Sequence, residues 1–158
     1  MKKQTVVKLL IIAAFCLIGV SINQSSADAA SWHKGTPKVL RGTYQGKRTS
    51  SAEGFGYFYK IASKYYVTQS SNMSQIKTVN LKYKKLRTHV YRIVGHTQKS
   101  GMVLGGHSDN VLYRKGKLLL LTDYVSYKKE KMNAFKYSLK NPAKKTTHIK
   151  DGGAIVHM

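Results

Sequence analysis

Beyond residue 38, apolar and polar side chains alternate with a period of two in one short run after another, the pattern of strands that bury one face. Phe55, Tyr57, Tyr59 and Ile61 are set off by Gly56, Phe58 and Lys60, and across a tight turn at Ala62-Ser63, Tyr65 and Val67 oppose Tyr66 and Thr68. Val79, Leu81 and Tyr83 alternate with Asn80 and Lys82, and the run from His89 to His96 sets Tyr91 and Ile93 against Val90, Arg92 and Val94. Gly101 to Leu104 and Val111 to Lys115 read as two further short strands separated by Gly105-Gly106. Lys115-Gly116 is a hairpin turn into Lys117 to Thr122, since glycine supplies the positive φ such turns need. No stretch keeps helical amphipathicity for three turns. Tyr124 to Lys129 and Ala134 to Lys140 form either a last hairpin about Lys131 to Asn133 or, over Lys128 to Tyr137, a short helix. The residues after Pro142 are mostly polar, basic or glycine and read as a loosely held tail. About eight antiparallel strands predict an all-β fold, an up-and-down barrel, because closure removes the exposed edges that otherwise aggregate.

The segment Ser31 to Gly46, SWHKGTPKVLRGTYQG, is expected to organise this barrel. Pro37 fixes its own φ and pushes Thr36 toward an extended conformation, so Lys34 to Lys38 should turn the chain into a first strand, Val39 to Arg48. Gly42 inside that strand costs backbone entropy, and such a glycine marks a bulge, a bend or the close approach of another segment. That suits the closing point of a barrel.

Ahead of this segment lies a leader with three basic residues (Lys2, Lys3, Lys8), an apolar run from Leu9 to Val20, and small residues ending in Ala27-Asp28-Ala29. This is the layout of a cleaved secretory signal helix, and the apolar run is shorter than the roughly 20 residues a membrane span needs. The expected divisions are a signal peptide over 1–29, a barrel domain over 30–142 and a basic tail over 143–158. The one cysteine, Cys16, lies inside the leader, so the exported chain would have neither disulfides nor a thiolate nucleophile. Charge is the dominant compositional feature: 28 Lys and Arg stand against 6 Asp and Glu, and without the leader the balance is still 25 to 5. Such a surface is drawn to polyanions when many charges act together. Outside a bacterial-type cell the abundant polyanions are wall phosphates and anionic lipid heads, and export counts against nucleic acid as the partner.

Gly42-Thr43-Tyr44 resembles the G-x-W signature of the lipocalin-like barrels, and Thr122-Asp123-Tyr124-Val125-Ser126-Tyr127 resembles their T-D-Y-x-x-Y segment at a similar separation. Tyr137 to Pro142 is weakly similar to the third signature, in which a basic residue packs across the tryptophan. Tyrosine replaces that tryptophan at 44, lysine replaces the usual arginine at 140, and no amphipathic helix is expected to follow. The resemblance implies that Gly42, Tyr44, Asp123 and Lys140 are structural residues at the closed end. It also implies that Tyr57, Tyr59, Tyr91, Ile93 and Tyr113 point inward, either lining a ligand cavity or filling a barrel just wide enough for side chains. The opening SWHKGTPKVLRGTY is similar, in addition, to short basic exported proteins of lactic-acid bacteria without an assigned activity.

No catalytic constellation emerges. His96 and His107 lie on neighbouring strands, but tetrahedral zinc wants further ligands at close spacing and only Asp109 is near, so the histidines read as surface residues. Asp123, His107 and Ser108 have the residue types of a triad without the nucleophile elbow that would present the serine. Glu53 and Glu130 are the only glutamates, and no carboxylate pair for glycoside cleavage can be argued from them. The expectation is a monomeric, non-catalytic exported protein without cofactor or metal, associating with anionic cell-wall or membrane-surface polymers. Lys82, Lys84, Lys85, Arg87, Arg114 and Lys115, interleaved with tyrosine, are the candidate contacts for these polymers. The alternative is a carrier of a small apolar ligand inside the barrel.

Overall fold

The computed structural model describes residues 31–48, 52 and 54–150; the leader and Glu53 lie outside this range. Nine strands are described: β1 (His33–Lys34), β2 (Gly42–Gln45), β3 (Tyr57–Ile61), β4 (Tyr66–Ser70), β5 (Ile76–Arg87), β6 (Val90–Thr97), β7 (Gly106–Lys115), β8 (Leu118–Asp123) and β9 (Ala143–Thr146). Strands β2 to β9 each pair antiparallel with the next, and β9 returns to β2. The result is a closed eight-stranded up-and-down barrel. The two-residue β1 pairs with Tyr83 and Lys82 of the long β5, beyond the point where β4 ends.

Alternation decides which side chains go inside. Tyr44 pairs with Tyr59, Ile93 with Tyr83, and Leu112 with both Tyr91 and Leu121, and these residues share one cluster with Leu40, Ile61, Tyr66, Leu81, Leu119 and Ala143. A second cluster forms on the outer surface of β6 to β8. Val90, Val111 and Leu120 are covered there by Tyr127, Ala134 and Phe135. The cover is helical: α1 (Tyr124–Glu130), a 3-10 segment (Lys131–Phe135) and α2 (Lys136–Lys140). Asp123 starts it by accepting a hydrogen bond from the Ser126 N–H at 2.7 Å, the geometry of an N-cap.

Several expectations change. A last hairpin over 124–140 does not form, because Tyr127 and Phe135 find an apolar surface on the barrel wall, and packing rather than periodicity stabilises such short helices. Val39 and Leu40, expected to open the first strand, belong instead to a 3-10 turn over Lys38–Leu40 that tucks Leu40 under the barrel. Gly106 and the residues up to Val111 extend β7 rather than separating two strands, and Ser100 and Val103 form only an isolated bridge. Ala143–Thr146, expected in a loose tail, is the strand that closes the barrel. Its Ala143 is fully buried, and a closing strand needs only one inward apolar residue here because its neighbours supply the rest.

Candidate functional site

The two ends of the barrel differ. At one end the 3-10 turn inserts Leu40, and the Tyr44 hydroxyl donates to the Leu40 carbonyl at 2.9 Å, so that both residues are fully buried. Burial holds the Tyr44 phenol above its ordinary pKa, partly offset by the nearby Arg114 guanidinium. Arg114 donates to the Val39 carbonyl beneath the same end. The basic residue beside Tyr44 is therefore Arg114, and two assignments are corrected. Lys140 is exposed on α2, with its ammonium 5.7 Å from the Tyr137 ring, and does not pack across Tyr44. Arg114 in turn is committed to the closed end. Asp123, expected at the closed end, instead caps α1 at the far end of β8.

The other end is hollow. A cavity of about 610 Å³ runs from the turns at Met73 and Ser74 down to Tyr66, Thr78 and Asn110, with Tyr137, Ser138 and Asn141 of the α2 region along one side. Tyr57 and Tyr59 line it. Burial raises both phenols above the usual tyrosine range, Tyr59 by far the more, with the help of neighbouring Tyr57 and Tyr66. Tyr91 and Ile93 are interior too, but they pack into the filled half with Leu112 and Leu119. Tyr113 is a further correction: it packs on the outer surface at 6.0 Å from Phe135, because its neighbour Leu112 takes the inward position.

Deep in the cavity is a polar cluster that alternation did not single out. Tyr66 and Ser108 hydroxyls lie 2.7 Å apart, and Asn110 Nδ2 donates to both, at 2.8 and 2.9 Å. Thr78 and Thr97 hydroxyls are 3.2 Å apart nearby. Polar residues at inward parity were the available signal. A hydrophobicity pattern hides them, since it reads Thr68, Ser108 and Asn110 as the solvent face.

The basic residues named from sequence do not converge. Lys82 and Lys84 occupy the outer face of β5, and Lys84 lies 5.1 Å from the Trp32 ring. Lys85 is opposite Tyr91, while Arg87 and Lys115 end strands at the closed end. Arg92, between Trp32 and the closely stacked Tyr124, forms a two-point pair with Asp109 at 2.8 and 2.6 Å. His96 and His107 are register partners, and among the described residues no group of three His, Cys, Asp or Glu is placed to hold a metal. His107 and Ser108, being adjacent in a strand, face opposite sides of the sheet and cannot act on one substrate. The architecture is a closed barrel with one sealed end and, toward the other, a cavity lined among the described residues by no charged side chain. No family model, curated protein or solved structure matches the chain.

Proposed function

We propose that this chain is a non-catalytic binding barrel that carries one small, neutral molecule with an apolar body and a hydrogen-bonding head. The observation that carries the reading is that, among the described residues, no charged side chain lines the 610 Å³ cavity, in a protein with 28 Lys and Arg. A charged ligand would enter this low-dielectric space without a counter-charge, at a cost of several kcal/mol. A neutral one of fitting size gains from burial against Ile76, Leu121 and the tyrosine rings, and its polar end meets the Tyr66, Ser108 and Asn110 cluster. Exposed Met73, Met102 and Leu104 on the turns beyond β4 and β6 give an apolar ligand a path to the mouth. The closed meander with Gly42 and Tyr44 at its sealed end supports the likeness to lipocalin-like carriers.

The leader supports export, and the excess of positive charge supports a second reading, retention of the protein at anionic polymers of the cell surface. Both roles are compatible in one molecule.

Binding of the neutral dye N-phenyl-1-naphthylamine, followed by its fluorescence, tests the carrier role. Thr68→Trp fills the cavity from an inward position and should weaken binding about tenfold or more, equivalent to about 1.4 kcal/mol, whereas Lys84→Gln on the outer wall should leave it unchanged. Equal affinity for the Thr68→Trp variant and the original chain would refute the carrier.

A further inference from the structure

Outside the barrel, the end of β2, the C-terminal end of α2 and β9 enclose a groove of about 860 Å³. Of the eleven described residues that line it, six are cationic: Lys47, Arg48, Lys140, Lys144, Lys145 and Lys150. Among the described residues, its lining contains no carboxylate and no aromatic ring. The ion pairs found among the described residues, Arg92–Asp109 and Lys136–Glu130, involve none of the six.

Like charges gathered this closely repel, so a surface without use for them would be expected to let its segments drift apart. Two side-chain amides hold them together instead. Gln45 Nε2 donates to the Lys150 carbonyl at 2.5 Å, and the Lys150 N–H donates to Gln45 Oε1 at 2.9 Å. The Lys47 N–H donates to Asn141 Oδ1 at 2.7 Å, and Asn141 Nδ2 donates to the Lys47 carbonyl at 3.0 Å. The Arg48 guanidinium reaches the same Lys150 carbonyl at 3.2 Å. Peptide units 94 and 105 positions away from their partners in sequence are thereby clamped, and the lysine side chains project from a frame that does not depend on them.

We propose that this groove is the site at which the protein holds a flexible phosphodiester polymer without bases, of the polyol-phosphate kind. A cluster of ammonium point charges fits phosphates repeated along a flexible chain, each neutralised phosphate releasing counterions. Single-stranded nucleic acid is held by aromatic platforms on which bases stack, and this groove has none among the described residues. A planar lipid surface meets convex or flat faces, not a concavity walled on three sides. The charge on the rest of the barrel speeds the encounter. This site is separate from the barrel interior and stands whether or not the cavity takes a ligand.

The test titrates the full chain with synthetic poly(glycerol phosphate) at several salt concentrations, with near-UV circular dichroism as the check on folding. Replacing Lys47, Lys144 and Lys150 together by glutamine should weaken binding about tenfold or more near 0.15 M salt. It should also flatten the slope of log K against log salt by about 2, at about 0.7 for each phosphate no longer neutralised. A control that removes the same charge elsewhere, Lys82→Gln with Lys84→Gln and Lys115→Gln, should cost less than about threefold. Equal losses in the two variants overturn the site, since net charge alone would then explain binding. Tighter, equally groove-dependent binding of a single-stranded oligonucleotide or of anionic lipid vesicles overturns the choice of a base-free polymer. If the triple variant misfolds, Lys144→Gln alone, at an exposed position, should flatten the slope by about 0.7, and an unchanged slope overturns the proposal.

Discussion

Gly42 is held at φ +138°, a region that side-chain-bearing residues rarely adopt. A Cβ placed there would also come within 2.7 Å of Lys145 Cε, but that atom is the far end of a flexible side chain and can move. Gly42 sits where β2 and β9 meet, and what opposes a side chain there is backbone conformation rather than the close packed neighbour expected from sequence. Gly42→Val should lower stability by about 1–3 kcal/mol, and Lys145→Ala should not rescue it. Thermal unfolding of the four variants of this double-mutant cycle would decide, with a full rescue assigning the cost to the lysine. Gly95, by contrast, is crowded by backbone: its Cβ would lie 2.7 Å from the Val79 carbonyl oxygen and 2.6 Å from Leu81 Cδ2. Nothing in the sequence around Gly95 distinguishes it, because the crowding comes from the irregular register of β5 between Val79 and Lys82.

Among the elements, the helical cover departs furthest from a simple alternating pattern. Its seven-residue α1 is short for a helix, so its start and its docking carry it. Hydrogen bonds from Ser126 hold the Asp123 carboxyl below its ordinary pKa. A depressed carboxylate contributes stability above its unfolded value of about 3.9 and loses that contribution as pH falls through the lower folded value. Asp123 is largely exposed, which keeps the effect toward the small end. Asp123→Ala should cost about 0.5–1 kcal/mol at neutral pH, with the difference shrinking in acid once pH falls below the unfolded value of about 3.9, while Asp123→Asn should retain most of the cap. Urea unfolding at the two pH values measures this, and a loss larger in acid than at neutral pH would contradict the assignment. The Thr122–Tyr127 segment was legible as special from its residues. Its conversion from strand to helix was not, because the apolar surface that attracts Tyr127 and Phe135 is assembled from three separate strands.

For the whole molecule, the buried phenols offer the most direct readout. Burial raises Tyr57, Tyr59, Tyr44 and Tyr91 above the ordinary tyrosine pKa. Above about pH 10 the unfolded chain ionises these groups and the folded chain keeps their protons, so folding stability falls as pH rises. Phenolate absorbance should show a fraction of the 11 tyrosines that ionises only in step with loss of the near-UV circular dichroism signal. A smooth titration of all of them while the protein stays folded would show an interior more open to water than the cavity geometry describes.

The period of two, the spacing of turns and the absence of sustained helical periodicity determined an antiparallel barrel on sequence grounds alone, because alternation is a local property of each strand. The lipocalin-like resemblance implied an inward set of Tyr57, Tyr59, Tyr91, Ile93 and Tyr113; the first four are interior, and Tyr113 is not, because the outer surface there is also buried. Only the tertiary structure decided that Ala143–Thr146 closes the sheet, that Arg114 serves the sealed end, and that the open half is a cavity without charge. The basic groove belongs with these. Lys47, Lys140 and Lys150 are inconspicuous in a chain where lysine is everywhere, and they become a site because Gln45 and Asn141 clamp distant segments together. Periodicity reports which side of a strand a residue takes, whereas meetings between residues a hundred positions apart are set by how the strands close.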